Sequence, residues 1–242
     1  MTFRFAAAAL AVSSIAAPLG SGPGPARLPS LDASCAPNLA DRLASTGPAH
    51  QLITVVAPSF SSTTATLSAW RRVGRCWALE FAPTLADVGE SGLSNHHVEG
   101  DGTTPTGSYG IGPVMFGTLP NPGVAFRYHQ LVCGDWWDED PSSDRYNTFV
   151  HLPCGATPPF GGGSEALWQE APAYDHFAVI EYNADPVVDG RGSAIFLHVS
   201  TGLPTSGCVA IAGGALDRLI VWLRPRDAPH IVIGTRATIT TY

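Results

Sequence analysis

The sequence contains no lysine: all 13 basic residues of the 242-residue chain are arginine. This excludes chemistry built on a side-chain amine, namely a phosphate-loop lysine, a pyridoxal Schiff base or a serine–lysine acylating pair. Charge is scarce as well, at 14% of residues, and 20 acidic side chains leave a net charge of −7. Such a chain has no electrostatic footprint for a nucleic-acid backbone, so DNA and RNA are not expected partners. His-Glu-x-x-His is missing, and no two cysteines have zinc-knuckle spacing. His96 and His97 are adjacent, and neighbours on a strand face opposite ways, so they make a poor ligand pair. No metal and no other cofactor is expected.

Long apolar runs are also lacking. The longest, residues 5–19, is interrupted by Ser13, Ser14 and Pro18 and falls short of the ~18 or more residues that a stable span requires. Arg4 precedes it and small residues with prolines follow, so residues 1–30 read as a secretory signal and linker, with an uncleaved anchor as the alternative. Residues 31–242 are then expected to form one domain, secreted or in the cell envelope, with no membrane span after signal removal.

What is present is a series of short β-branched and aromatic runs separated by glycine and proline. They begin at Gln51 and recur at residues 76–81, 148–152, 177–182, 194–199 and 231–241. This pattern predicts a mainly β fold, an antiparallel sandwich or barrel with few short helices. The helices are expected at residues 39–45 and 214–223, the second with Leu216, Leu219, Ile220 and Leu223 on one face. The acidic stretch Asp135-Trp136-Trp137-Asp138-Glu139-Asp140 reads as a solvated loop whose tryptophans turn inward. It lacks the central glycine and late glutamate of a calcium-binding loop.

Five cysteines in an exported chain can form two disulfides with one thiol left over. Cys133 and Cys154 flank the acidic loop and are expected to pair, as are Cys35 and Cys76, although sequence alone permits other connectivities. Cys208 is the remaining thiol. It follows Thr205-Ser206-Gly207, and His198 ends an apolar strand ten residues earlier. A free thiol has its pKa near ~8.5, so a nucleophilic cysteine needs a neighbouring base. A glycine-proline loop between the two gives His198 a way to reach Cys208, and the backbone N–H groups of Ser206, Gly207 and Cys208 a way to face a developing oxyanion. The local sequence equally allows both to be core residues, the thiol a small buried hydrophobe.

This segment resembles the catalytic core of the L,D-transpeptidase (YkuD or ErfK-type) family, in which a strand ending in histidine precedes a Ser-His-Gly-Cys turn. Thr205-Ser206-Gly207-Cys208 matches its hydroxyl, glycine and cysteine, while Ser206 stands where the family has histidine. Upstream, Asp101-Gly102-Thr103-Thr104-Pro105-Thr106-Gly107 resembles a second signature of the family, and together the signatures span residues 100–212. The resemblance implies an exported cysteine acyltransferase acting on peptidoglycan stem peptides. Cys208 would be the nucleophile, His198 the base and the Val199 carbonyl its orienting group. Thr205, Gly192, Ser193, Tyr182, Asn183 and His176 are candidate substrate contacts. An L,D-carboxypeptidase-type hydrolase and an inactive wall-binding module on the same fold remain alternatives. A sortase would place threonine immediately before the cysteine, where this chain has Gly207.

Overall fold

In a computed structural model, residues 37–161 and 163–242 are described. Fifteen strands run through these residues. The first seven are β1 (Gln51–Ala57), β2 (Thr64–Val73), β3 (Cys76–Leu79), β4 (Thr84–Asp87), β5 (Leu93–Ser94), β6 (Thr104–Pro105) and β7 (Gly107–Gly117). The next four are β8 (Arg127–Gln130), β9 (Asp135–Asp138), β10 (Thr148–His151) and β11 (Glu165–Ala166). The last four are β12 (Phe177–Ile180), β13 (Phe196–Val199), β14 (Val209–Ile211) and β15 (His230–Thr235), with helix α1 (Gly213–Trp222) between β14 and β15.

The main sheet closes on itself. Its strands follow the order β1, β15, β7, β12, β13, β14, β4, β2, and β2 pairs back to β1, with β3 and β8 as side branches. Closure pairs the hydrogen-bonding edges that an open sheet would leave bare. The interior is apolar: Ile53, Val55, Met115, Ile180, Leu197, Val209, Ile211, Ile231 and Ile233 are all buried in one cluster. Helix α1 adds Leu216, Leu219 and Ile220 to that cluster, and Leu223 is buried at its C-terminal cap. Each such side chain contributes about 1.5–3 kcal/mol on removal from water.

The fold is mainly β, as the sequence implies, but it is not purely antiparallel. β1 pairs parallel with β15, β13 with β14, and β7 with β8. Parallel neighbours need a chain that crosses back rather than a tight hairpin. The glycine- and proline-containing segments 118–126 and 200–208 supply those returns for β7–β8 and β13–β14. Residues 236–241 do not extend the last strand but form a turn and a 3-10 helix, Ile239–Thr241. The helix expected at 39–45 is a single 3-10 turn, Ala40–Arg42, because the N–H groups of Ala44 and Ser45 donate instead to the Tyr242 carbonyl.

The acidic stretch also departs from expectation. It is not a solvated loop: β9 is the central strand of a three-stranded sheet with β10 and β11, and Asp135 and Asp138 are fully buried. Asp135 accepts hydrogen bonds from His129 Nε2, His151 Nδ1 and the Val132 N–H, which replace the water it gives up. A disulfide joins Cys133 to Cys154 at the base of this sheet. Cys35 and the expected signal segment lie outside the described residues.

Candidate active site

Strands β13 and β14 set the site. Their parallel register places His198 opposite Ala210, and Leu197 opposite Val209. Side chains alternate along a strand, so Phe196, His198, Cys208 and Ala210 share one face. Cys208 sits just before β14, beside Phe196: its Sγ accepts the Phe196 N–H at 3.3 Å and donates to the Ala194 carbonyl at 3.2 Å. Beneath it lies an aromatic cluster that includes Trp137, Tyr174, Phe177 and Phe196. Burial in that cluster pushes the Cys208 thiol well above its usual pKa; the nearby Glu165 carboxyl adds to the rise and the Phe196 N–H opposes it.

The turn that carries the thiol is pinned from several sides. Thr205 pairs with Gly89, and its hydroxyl donates to the Cys208 carbonyl at 2.7 Å, as the Thr104 hydroxyl does at 3.2 Å. Gly207 has φ +146°, and a side chain there would press to 3.0 Å against the Thr103 carbonyl, so glycine is required. Of the three N–H groups considered for an oxyanion, that of Gly207 donates to Thr205 Oγ1 at 3.2 Å, while those of Ser206 and Cys208 have no hydrogen-bond acceptor among the described residues.

His198 is buried, and its Nδ1 lies 2.9 Å from the Val199 carbonyl. A carbonyl only accepts, so Nδ1 carries the proton and Nε2 is left basic. Burial lowers its pKa, with the carbonyls of Val199 and Ala173 and the charge of Asp87 partly offsetting the effect. The Tyr174 ring meets the imidazole edge to face at 5.5 Å. His198 and Cys208 line one cavity of about 170 Å³ together with Glu165, Tyr174, Leu203, Pro204, Thr205 and Ser206. A second cavity, of about 240 Å³, opens on the other side of Ser206 and Cys208 and is lined by His97, Glu99, Glu139, Glu165, Ser193 and Gly207 among others.

Not every candidate contact reaches these cavities. Thr205 lines the first and Ser193 the second. His176 does not: its Nδ1 pairs with Asp217 at 2.7 Å and its Nε2 with the Pro120 carbonyl at 3.1 Å, which makes it a tie between loop and helix. Tyr182 and Asn183 also lie off the thiol cavities. The Tyr182 hydroxyl donates to the carbonyls of His97 and Arg191, and Asn183 Nδ2 donates to those of Val188 and Gly192. Gly192 lies against the His97 ring. These residues shape the wall behind His97.

Three groups at the site were not anticipated. Glu139 and Glu165, brought in by the three-stranded sheet, face the thiol, and Ala194 holds a left-handed φ of +52° as its carbonyl accepts the Cys208 S–H hydrogen bond. Asn147 fixes Ala194 by accepting its N–H at 3.1 Å, while also accepting Trp137 Nε1–H and donating to the carbonyls of Tyr182 and Asn183.

A closed β-barrel with a thiol and an imidazole on one face of two parallel strands defines a class of cysteine-centred β-barrel sites. The family model of the YkuD L,D-transpeptidase catalytic domain matches residues 69–236, more than half of the chain, and the protein belongs to that family. Comparison with curated proteins and with solved structures returned no match.

Proposed function

We propose that the protein is an exported L,D-transpeptidase that carries the acyl group of a peptidoglycan stem peptide as a thioester on Cys208. The observation that carries this reading is that the buried Cys208 thiol and His198 line one cavity, each hydrogen-bonded to a backbone carbonyl. Family membership supplies the substrate class, peptidoglycan. The Cys133–Cys154 disulfide supports an extracytoplasmic setting. Among the described residues no helix is long and apolar enough to cross a membrane.

The electrostatics favour a neutral resting pair. A thiol pushed up and an imidazole pushed down, both by burial, do not form a thiolate–imidazolium pair before substrate arrives. In the mechanism we propose, the donor carbonyl enters the cavity, His198 Nε2 takes the thiol proton as sulfur attacks, and the imidazolium then protonates the departing D-amino acid. The N–H groups of Ser206 and Cys208 are the available oxyanion donors.

The test is intact-protein mass after incubation with a tetrapeptide donor or a carbapenem. Wild type should gain the adduct and Cys208→Ala should not; His198→Ala should acylate about 10²–10⁴ times more slowly. An adduct on Cys208→Ala, or none on wild type, would overturn the reading.

A further inference from the structure

His97 differs from the other deeply buried histidine outside the thiol–imidazole pair. His176 has both ring nitrogens satisfied, as a structural histidine should. The His97 side chain is only 4% exposed, yet just Nδ1 has a partner, Asp101 Oδ1 at 2.8 Å, with the Thr103 hydroxyl at 3.1 Å. Nε2 has no hydrogen-bond partner among the described residues. Its edge of the ring lies over two glycines. A side chain on Gly192 would come within 2.4 Å of Nε2, and one on Gly207 within 3.6 Å of Cε1. The ring therefore rests on the turn that carries Cys208 and lines the 240 Å³ cavity beside the thiol.

Asp101 is built as an orienting group. Its Oδ1 accepts the Thr103 N–H at 2.8 Å and the Thr103 hydroxyl at 2.7 Å, and its Oδ2 accepts the Val98 N–H at 3.0 Å. Burial pushes the carboxyl up, but these bonds outweigh it and hold the group ionised. An acceptor-only carboxylate fixes the proton on His97 Nδ1 and leaves the Nε2 lone pair free. This is the base-plus-orienter geometry of an activating pair.

Three glutamates line the same cavity, Glu99, Glu139 and Glu165, and no arginine is among its described lining residues. Glu99 accepts from the hydroxyls of Ser193 and Tyr146, and Glu165 from that of Tyr174. Glu139 Oε1 is buried without a hydrogen-bond partner among the described residues. A buried carboxyl oxygen left unpaired is costly, and a cation with N–H donors would satisfy it.

We propose that this cavity binds the primary ammonium group of the acyl acceptor, and that His97, oriented by Asp101, is the base that frees the amine to attack. The proposal rests on Cys208 being the acyl carrier. His97 Nε2 takes one proton from R–NH₃⁺, and the amine nitrogen attacks the thioester carbonyl. As the C–N bond forms and the C–S bond breaks, a second amine proton passes to the departing sulfur, and His97 releases its proton to solvent. No electrons change hands. Cys208 thus stands between two imidazoles, His198 on the donor side and His97 on the acceptor side.

The test separates the two half-reactions by intact-protein mass: the rate of thioester formation from a tetrapeptide donor, then its decay on adding a diamino-acid acceptor. In His97→Asn the ratio of transfer to acylation should fall about 10²-fold, and in Asp101→Asn it should fall in the same direction. Hydroxylamine, already neutral at the assay pH, should restore transfer to both. An unchanged ratio, or no rescue by hydroxylamine, overturns the proposal while leaving the Cys208 thioester standing; a wild type that never forms the thioester overturns both. Should the variants fail to fold, wild type still decides. The N,N-dimethylated acceptor, cationic but unable to form an amide, should block transfer competitively, whereas the corresponding alcohol should not. Equal inhibition by the two, or none by the cation, also overturns the proposal.

Discussion

Asn147 shows how much of the site depends on a side chain that touches no reacting atom. It has φ +57°, a conformation asparagine tolerates better than most residues, and its amide serves two donors and two acceptors at once. Trp137 Nε1–H and the Ala194 N–H both lose their acceptor in Asn147→Ala. Leaving two such groups unpaired should cost about 2–4 kcal/mol, read as a lowered denaturant midpoint at unchanged slope. Because Ala194 presents the carbonyl that accepts the Cys208 S–H hydrogen bond, acylation should slow as well. A variant of wild-type stability would show that the network carries no weight.

At the scale of elements, the three-stranded sheet of β9, β10 and β11 delivers Glu139 and Glu165 to the thiol, and the Cys133–Cys154 disulfide closes the loop containing two of its strands. Replacing both cysteines by alanine should cost about 3 kcal/mol, seen as a drop in Tm. An unchanged Tm would mean the loop is held by its side chains alone. This is also where sequence and structure part company. The approach of His198 to Cys208 was legible because a strand ending in histidine, a glycine-proline loop and a turn ending in cysteine are local signals. The sheet that covers them was not: Asp135 and Asp138 look solvated until His129, His151 and Ser143 arrive from elsewhere in the chain to satisfy them. Strand β7, the longest, was hidden by its own Gly107, Gly110, Gly112 and Pro113, residues that read as turns. His97 and Asp101 are only four residues apart, but nothing in their spacing says that Gly207 will lie beneath the ring.

At the scale of the whole molecule, a net charge of −7 is distributed so that several carboxyls crowd one interior wall. Burial, then the neighbouring Glu165 and Glu99, raise Glu139 to about 9, and Glu165 rises to about 7 through burial. A carboxyl raised above its unfolded value of about 4.3 stabilises the fold when protonated. That contribution is complete below about pH 4.3 and is lost as pH climbs towards 9. Thermal melts of wild type and Glu139→Gln should therefore nearly coincide at pH 4 and diverge by pH 9, wild type being the less stable at the alkaline end. Glu99, Glu165 and Asp138 face Glu139 in both proteins, so the difference reads Glu139 together with its interaction with these carboxyls. Parallel curves across this range would contradict the assignment.

The aromatic floor beneath Cys208 has a consequence outside catalysis. Peroxide oxidation and disulfide exchange both proceed through an accessible thiolate, and the burial that keeps this sulfur protonated withholds it from both. In a chain whose other cysteines include a disulfide pair, that shelter keeps the one described free thiol out of scrambling.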